Sequence, residues 1–367
     1  MQFKSIYVRS LAVVSLCLGL NACNSTSEPE PSQPYDTGVF VVNRGNFFDN
    51  NGSISLINAT TKAVSLDIFQ IENVNSLVGG VSDYAEVDGK GVLLVDNATA
   101  GKDAIEIVNA RTFKSVAKIP STELENPRYV AKVGTNKAYV TCWDSFNADY
   151  SYKPGYVLVI DLSTNKVTKK IAVQKGANKL LVVGNEAIVT TTSYSGATTI
   201  SIIDTQTDAI KQTVEIGYEP QLIGADANGK IWLYADGKFV KFNLSSKTVE
   251  NRIAFASPSS IKSAGSFTFN KEKTAILFAY SYSDAADNYK QKGETYSFGI
   301  NEPTISTTKP VINRVFSGLS TDPNTGNIYA GFSPSLKQAG YVFRYQANGT
   351  LIDSLKAGIG PEGFLFK

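Results

Sequence analysis

Four segments of the chain set aromatic rings beside amides and carboxylates. Residues 43–52 hold Phe47 and Phe48 with Asn46, Asn50 and Asn51. Residues 143–155 hold Trp143, Phe146, Tyr150 and Tyr152 with Asp144, Asn147 and Asp149. Residues 192–197 carry Tyr194, and residues 279–294 carry Tyr280, Tyr282 and Tyr289. Tyr and Trp offer a broad apolar face and a hydrogen-bonding tip, so this mixture suits ligand recognition rather than bond making. Acid–base chemistry has little to work with. The chain contains no histidine, which removes the commonest general base, the commonest transition-metal ligand and any Ser-His-Asp triad. An enzyme here would need carboxylates, or a calcium ion held by Asp, Glu and Asn oxygens, converging on one point. The carboxylates are scattered, and Asp284 with Asp287 reads as a solvated loop pair. No metal site and no cofactor are expected.

The chain's 367 residues suffice for two average domains or one large all-β domain. With 43% apolar residues it can bury a sizeable core. The 35 basic residues nearly balance the 33 acidic ones, and the excess is Lys4 and Arg9 near the start. A neutral chain gives no reason to expect nucleic acid, whose binding relies on many Lys and Arg contacts to phosphate. There are three cysteines, too few and too scattered for a disulfide framework. Cys142 follows the strand-like run AYVT and reads as a buried, inert thiol, the alternative being a reactive one.

Residues 1–22 have the parts of an export signal. Lys4 and Arg9 form a basic start, and residues 11–20 are apolar but too short to span a bilayer as a helix. The segment ends Leu20-Asn21-Ala22-Cys23. This resembles a bacterial lipobox, from which Asn21 departs; the alternative is an ordinary cleaved signal. The resemblance implies lipidation at Cys23, by two or three acyl chains. Each buried CH₂ contributes ~0.8 kcal/mol, so two chains anchor stably where one does not. The stretch NSTSEPEPSQP that follows has no apolar residue and reads as a disordered tether. The expected organisation is therefore signal at 1–22, lipidated Cys and tether at 23–37, and one folded body at 38–367.

That body repeats one pattern. Residues 156–173, YVLVIDLSTNKVTKKIAV, run from an apolar strand through Asp161 and a polar turn into a more polar strand. Asp at such a place accepts hydrogen bonds from N–H groups just downstream. Equivalent turns fall at Asn58, Asn109, Asp204, Asn243, Asn301 and Gln346, spaced 39 to 58 residues apart. The sixth copy is 295–305, TYSFGINEPTI. Seven apolar runs precede these hairpins: 39–42, 92–95, 138–141, 187–190, 231–234, 275–278 and 328–332. Consecutive apolar residues mean that both faces of a strand are covered. A third strand candidate precedes each run except the first, and the seventh candidate is 363–366 at the end of the chain. Such periods suit four-stranded propeller blades. The expectation is an all-β, seven-bladed β-propeller of antiparallel blades, closed by pairing the N- and C-terminal strands; a pair of β-sandwiches is the alternative. Gly79, Gly80, Ser82, Gly224, Ala225, Ala264, Gly265 and Gly318 keep the crowded inner strands small. Trp232, inside an apolar run, is core.

The repeat segments AYVTCW, VLVIDLSTNKV and ISIIDTQTDAI resemble YVTN/YncE-like propellers. The opening GVFVVNRGNFFDNNGSISLIN is similar to the first blade of bacterial surface lipoprotein propellers, with Arg44 standing where that group commonly has Glu. One branch of the group captures cobalamin over an outer-membrane TonB-dependent transporter. The resemblance implies an outer-membrane lipoprotein, at the cell surface or on the periplasmic face.

In a propeller, the loops between second and third strands and those entering each first strand gather at one end. The aromatic segments fall there, while the opposite turns, such as 134–137, 184–186 and 270–273, are short and polar. The aromatics either pack together as a cover or form a ligand face. Arg128, Arg314 and Glu362 are expected to ring the channel mouth, or to be surface charges. Three functions follow. The first is capture of a ligand, with a corrinoid as the case the resemblance implies, for delivery to a TonB-dependent transporter. The second is a glycan- or protein-binding scaffold, and the third a lactonase- or lyase-type propeller enzyme. A non-catalytic binding protein is favoured, touching the membrane through its lipid anchor alone.

Overall fold

The apolar runs become the second strands of seven antiparallel sheets. The computed structural model describes residues 31–367, so the expected signal, Cys23 and most of the tether lie outside the described residues. Gln33–Lys367 form one compact unit. Blade 2 contains Gly80–Val87, Lys90–Asp96, Ala104–Asn109 and Ser115–Pro120 in order from the axis outward. Blade 3 runs Pro127–Gly134, Lys137–Cys142, Pro154–Asp161 and Lys166–Lys175, and blade 4 Ala177–Val183, Glu186–Thr191, Thr199–Asp204 and Ala209–Glu215. Blade 5 is Gln221–Ala225, Ile231–Ala235, Lys238–Asn243 and Thr248–Ile253. Blade 6 has Ser263–Phe269, Ala275–Asp284 and Lys290–Gly299, and blade 7 Gly318–Thr321, Ile328–Phe332, Tyr341–Tyr345 and Leu351–Lys356.

Blade 1 closes the ring. Its inner strand is Pro361–Phe366, followed by Val39–Asn43, Ser53–Ile57 and the two-residue Val64–Ser65. Val39 pairs with Phe366, Val41 with Phe364 and Val42 with Gly363. The seven-bladed propeller and its closure by both termini are therefore as expected.

The burial pattern explains why the runs are continuous. Alternate residues of one strand enter different cores. Phe40 and Val42 pack toward blade 2, while Val39 and Val41 pack toward blade 7. Leu93 and Val95 face blade 1, and Val92 and Leu94 face blade 3. Trp232 and Tyr234 face blade 6, with Ile231 and Leu233 facing blade 4. Trp232 is fully buried, and its indole N–H donates to Asp226 Oδ2 at 2.8 Å. Cys142 is likewise fully buried, and burial pushes its thiol well up, which keeps it from forming thiolate.

Asn58, Asn109, Asp204 and Asn243 each accept two downstream N–H groups, and Asp161 accepts that of Ser163. Lysines also tie blades together at this turn end. Lys137 Nζ reaches the Thr205 carbonyl at 2.8 Å, and Lys241 Nζ the Ile300 carbonyl at 2.9 Å.

Three details differ from expectation. The sheet of blade 6 has three strands. Ile305 leaves it to bond with Ala254 and Ala256 beyond blade 5, and only the Thr295–Ile312 bridge occupies the fourth place. Pro303 and Pro310 flank this stretch and cannot donate to a ladder. Second, a short helix, Ile68–Asn73, follows the stunted outer strand of blade 1 and buries Ile68 and Phe69. Third, Tyr35 and Asp36, expected in the tether, belong to the body. Tyr35 is buried against Phe113, and Asp36 pairs with Arg111 at 2.9 Å.

The seam between blades 7 and 1 is tight. A Cβ on Gly331 would stand 1.9 Å from the Pro361 carbonyl oxygen, and one on Gly318 2.0 Å from that of Glu362. Both obstacles are backbone. Gly331→Ala should therefore cost about 1–3 kcal/mol or more in urea unfolding. Gly134→Ala, whose nearest neighbour would be 3.8 Å away, serves as the control with little change. Equal midpoints for both variants would show that the seam has slack.

Candidate ligand-binding face

The expected aromatic residues divide into two sets. The first packs on itself. Trp143, Phe146 and Tyr152 meet edge to face, with ring centroids 5.1 to 6.4 Å apart. The Arg128 guanidinium lies over Trp143 at 3.4 Å. Arg128 is not at an open channel mouth. It is buried, with Nη1 donating to Asp96 Oδ2 at 2.7 Å and Nη2 to Asn126 Oδ1 at 3.0 Å. A charge this buried requires such partners. Beside it, Asp103 accepts the N–H groups of Asn97 and Asn126; its carboxyl is pushed up to about 6, chiefly by burial. Tyr280 also belongs to the packed set. It is 3% exposed and stacks on Phe255 at 4.6 Å. Its position near the middle of the long strand Ala275–Asp284 keeps it in the core between blades 5 and 6.

The second set is exposed. Tyr150, Tyr194 and Tyr289 are 86%, 91% and 73% exposed, in loops of blades 3, 4 and 6 at the same end. All three have left-handed backbone, with φ of 62°, 63° and 58°. A bulky residue in that region is an outlier costing of order 1–3 kcal/mol, and such outliers cluster at functional sites. Phe48 joins them at the loop end, packed edge to face on Phe47 at 5.5 Å. Tyr282 is half-buried in the projecting hairpin of blade 6, where it pairs with Lys292.

The amides and carboxylates mostly brace loops. Asn50 Oδ1 accepts the Ala98 N–H at 2.8 Å, and Asn51 Oδ1 that of Asn46 at 2.7 Å. Asp144 accepts from Ser145, and Asn147 and Asp149 bond to Ser151. Asp284 and Asp287 share Lys292, at 2.7 and 3.1 Å. Among the described residues, no group of three or more Cys, Asp or Glu side chains could hold a metal ion.

A cavity of about 800 Å³ opens at this end between blades 6 and 7. Tyr289, Phe316, Phe332 and Leu336 supply its apolar lining, with Asn288, Gln291 and Ser333 as polar groups. The buried Ser333 hydroxyl has no hydrogen-bond partner. Arg314 is exposed, with its guanidinium 5.1 Å over the Phe332 ring and 4.5 Å over Phe343. The blade 7 part of this cavity escaped the sequence reading, because residues 332–340 contain one aromatic residue and no motif.

The axis itself is polar. A cavity of about 210 Å³ is lined from six inner strands, with Tyr129, Asn178, Lys179, Gln221, Ser317 and Glu362 among its walls. Glu362 faces this channel, 3.7 Å from Arg44. Burial raises its carboxyl, and Arg44 opposes that. Deeper in, Asp83 Oδ2 accepts the Val130 N–H at 3.0 Å. Burial pushes the Asp83 carboxyl up to about 7, against two backbone hydrogen bonds and the field of Lys179.

A family model described as "Domain of unknown function (DUF5074)" matches residues 37–359. No curated protein matches the sequence. Among solved structures, a quinoprotein alcohol dehydrogenase-like protein from Bacteroides thetaiotaomicron superposes with a TM-score of 0.63 at 14% identity, covering 90% of this chain and 78% of its own. Hydrazine synthase from Kuenenia stuttgartiensis superposes at 0.52 and 14% identity, covering 74% of this chain and 84% of its own. Likenesses at this identity show the fold alone.

The raised Asp83 carboxyl has a measurable consequence. An unfolded Asp titrates near 3.9, so the folded state holds this proton more tightly. The Asp83 contribution to stability is thus fully present below about pH 4 and lost as pH rises to about 7. Asp83→Asn should flatten that part of the stability curve in urea titrations. Lys179→Met should move the Asp83 carboxyl signal in ¹³C NMR to a still higher midpoint. Curves that overlay wild type for both variants would remove Asp83 as the titrating group.

Proposed function

The chain belongs to the DUF5074 family, and we propose that it is a non-catalytic propeller that captures a ligand on its loop end. The observation that carries this reading is the recurrence of Tyr150, Tyr194 and Tyr289 as exposed, left-handed residues at one end of the ring. Strain of that kind in three separate loops needs a reason, and holding rings outward for contact supplies one. The cavity beside Tyr289 adds depth, with apolar walls and a few polar groups, as ligand sites have. A suitable ligand has flat apolar faces and hydrogen-bonding edges.

A corrinoid fits that description, and it is the ligand that the resemblance of the opening blade implies. With no histidine in the chain, the protein would bind the intact molecule by its surface, leaving the lower cobalt ligand in place. On this reading Cys23 carries the lipid anchor, and the ring stands at the outer membrane beside a TonB-dependent transporter. A glycan or protein is the second reading, supported by the spread of the exposed tyrosines over blades 3, 4 and 6.

Purified protein mixed with cyanocobalamin should carry the red colour through a sizing column. Tyr289→Ala should weaken that binding about tenfold without unfolding the ring, as expected of an aromatic anchor. A colourless protein peak at micromolar concentration would exclude the corrinoid and leave the glycan or protein reading. Cobalamin binding that ignores both Tyr289→Ala and Tyr194→Ala would place the ligand somewhere other than the loop end.

A further inference from the structure

The turn end of the axis holds a second cavity, of about 350 Å³. Lys179, Lys271 and Lys273 line it with Thr268, Asn270 and Thr321, and no carboxylate is among its lining residues. We propose that it is a binding site for a small oxyanion of the phosphate or carboxylate class, seated on Lys179 and reached past Lys273.

Two residues with unmet hydrogen-bonding needs line it. Lys179 projects from an inner strand and makes no hydrogen bond or ion pair among the described residues. Its Nζ lies 5.7 Å from the centroid of the Tyr129 ring. Lys179 is half-buried, and an ammonium drawn partly out of water gains from a counter-charge. Burial lowers its proton affinity, and the field of Asp83 offsets part of that. The second need is the Thr321 hydroxyl, which is buried and also without a partner. Both are donors, and both lack an acceptor. Of the two other lysines, Lys271 is partly engaged, donating to the Asn324 carbonyl at 2.6 Å, while Lys273 sits exposed in the turn 270–273. An oxyanion brings several acceptor oxygens and the opposite charge, and charge-assisted hydrogen bonds of this kind are the strong ones. The site lies at the opposite end of the ring from the tyrosines, so it stands or falls apart from the capture face.

Calorimetric titration of the purified protein with inorganic phosphate, and separately with citrate, tests the site. Sodium chloride holds ionic strength constant. A saturable heat with either anion is the expected result, and which anion gives it separates the phosphate from the carboxylate source. Lys179→Met should weaken binding by about tenfold or more. Lys273→Gln, on the exposed rim, should weaken it about threefold with stability unchanged. Should Lys179→Met fail to fold, Lys179→Arg, which keeps the charge, and Lys273→Gln carry the test. Absence of saturable heat from both anions, or wild-type affinity in Lys179→Met and Lys273→Gln together, would overturn the proposal.

Discussion

The structure depends on covering both faces of every sheet at once. A blade cut from this ring would expose Phe40 and Val42 on one face and Val39 and Val41 on the other. No blade can bury itself, and a row of seven would still leave two bare faces and two open edges. Pairing Val39–Asn43 with Pro361–Phe366 solves both problems in one step. It joins the chain's two ends in one sheet and brings Tyr329 of blade 7 against Phe364 and Phe366. Closure removes the edges that an open sheet would offer to aggregation. The same step brings Pro361 and Glu362 onto Gly318 and Gly331, where a side chain larger than hydrogen would meet backbone.

That constraint is also why so much of the fold was legible. A strand buried on both faces must be apolar at consecutive positions, and the second strands carry that mark in residues such as Val92–Val95. The turn end was legible for a different reason. Asn and Asp at the hairpin turns act locally on N–H groups two and three residues on, so their meaning survives without knowledge of tertiary contacts. Where meaning depended on long-range contacts, the reading failed. Tyr280 looked like a loop residue because it follows an apolar run, yet blade 6 extends its second and third strands to ten residues each and carries Tyr280 into the core. Arg128 looked like a mouth charge because nothing nearby in sequence announces Asp96, 32 residues earlier. The loss of a fourth strand from blade 6 follows from Ile305 finding a better partner beyond blade 5.

The aromatic loops show how one composition serves two ends. Trp143, Phe146 and Tyr152 pack edge to face on one another, and the Arg128 guanidinium lies over Trp143. Tyr150 belongs to the same loop and is left outside that cluster. The packed rings fix the loop, and the fixed loop then holds one ring in a backbone conformation that it would not adopt freely. Preorganisation of this kind reduces what a contact must spend on ordering. Sequence alone shows four aromatics in a row of loop residues and gives no means to tell scaffold from display. The difference lies in which rings pack against Trp143.

The two ends of the axis differ in the same physical sense. Toward the loops, the channel presents Glu362, held 3.7 Å from Arg44, with hydroxyl and amide side chains, and Lys179 lines it as well. Toward the turns, the walls carry three lysines and no acid. Propeller geometry alone asks only for small side chains at the axis, so an unpaired ammonium there is an added cost. Asp83 reduces that cost through space without contacting Lys179, and it does so as a carboxyl whose own ionisation burial opposes. A pair arranged this way is poorly built for stability. A methionine of similar length would serve the fold as well, and burial of charge without good pairing is destabilising by comparison. That unpaired ammonium is the group that the proposed oxyanion would complete.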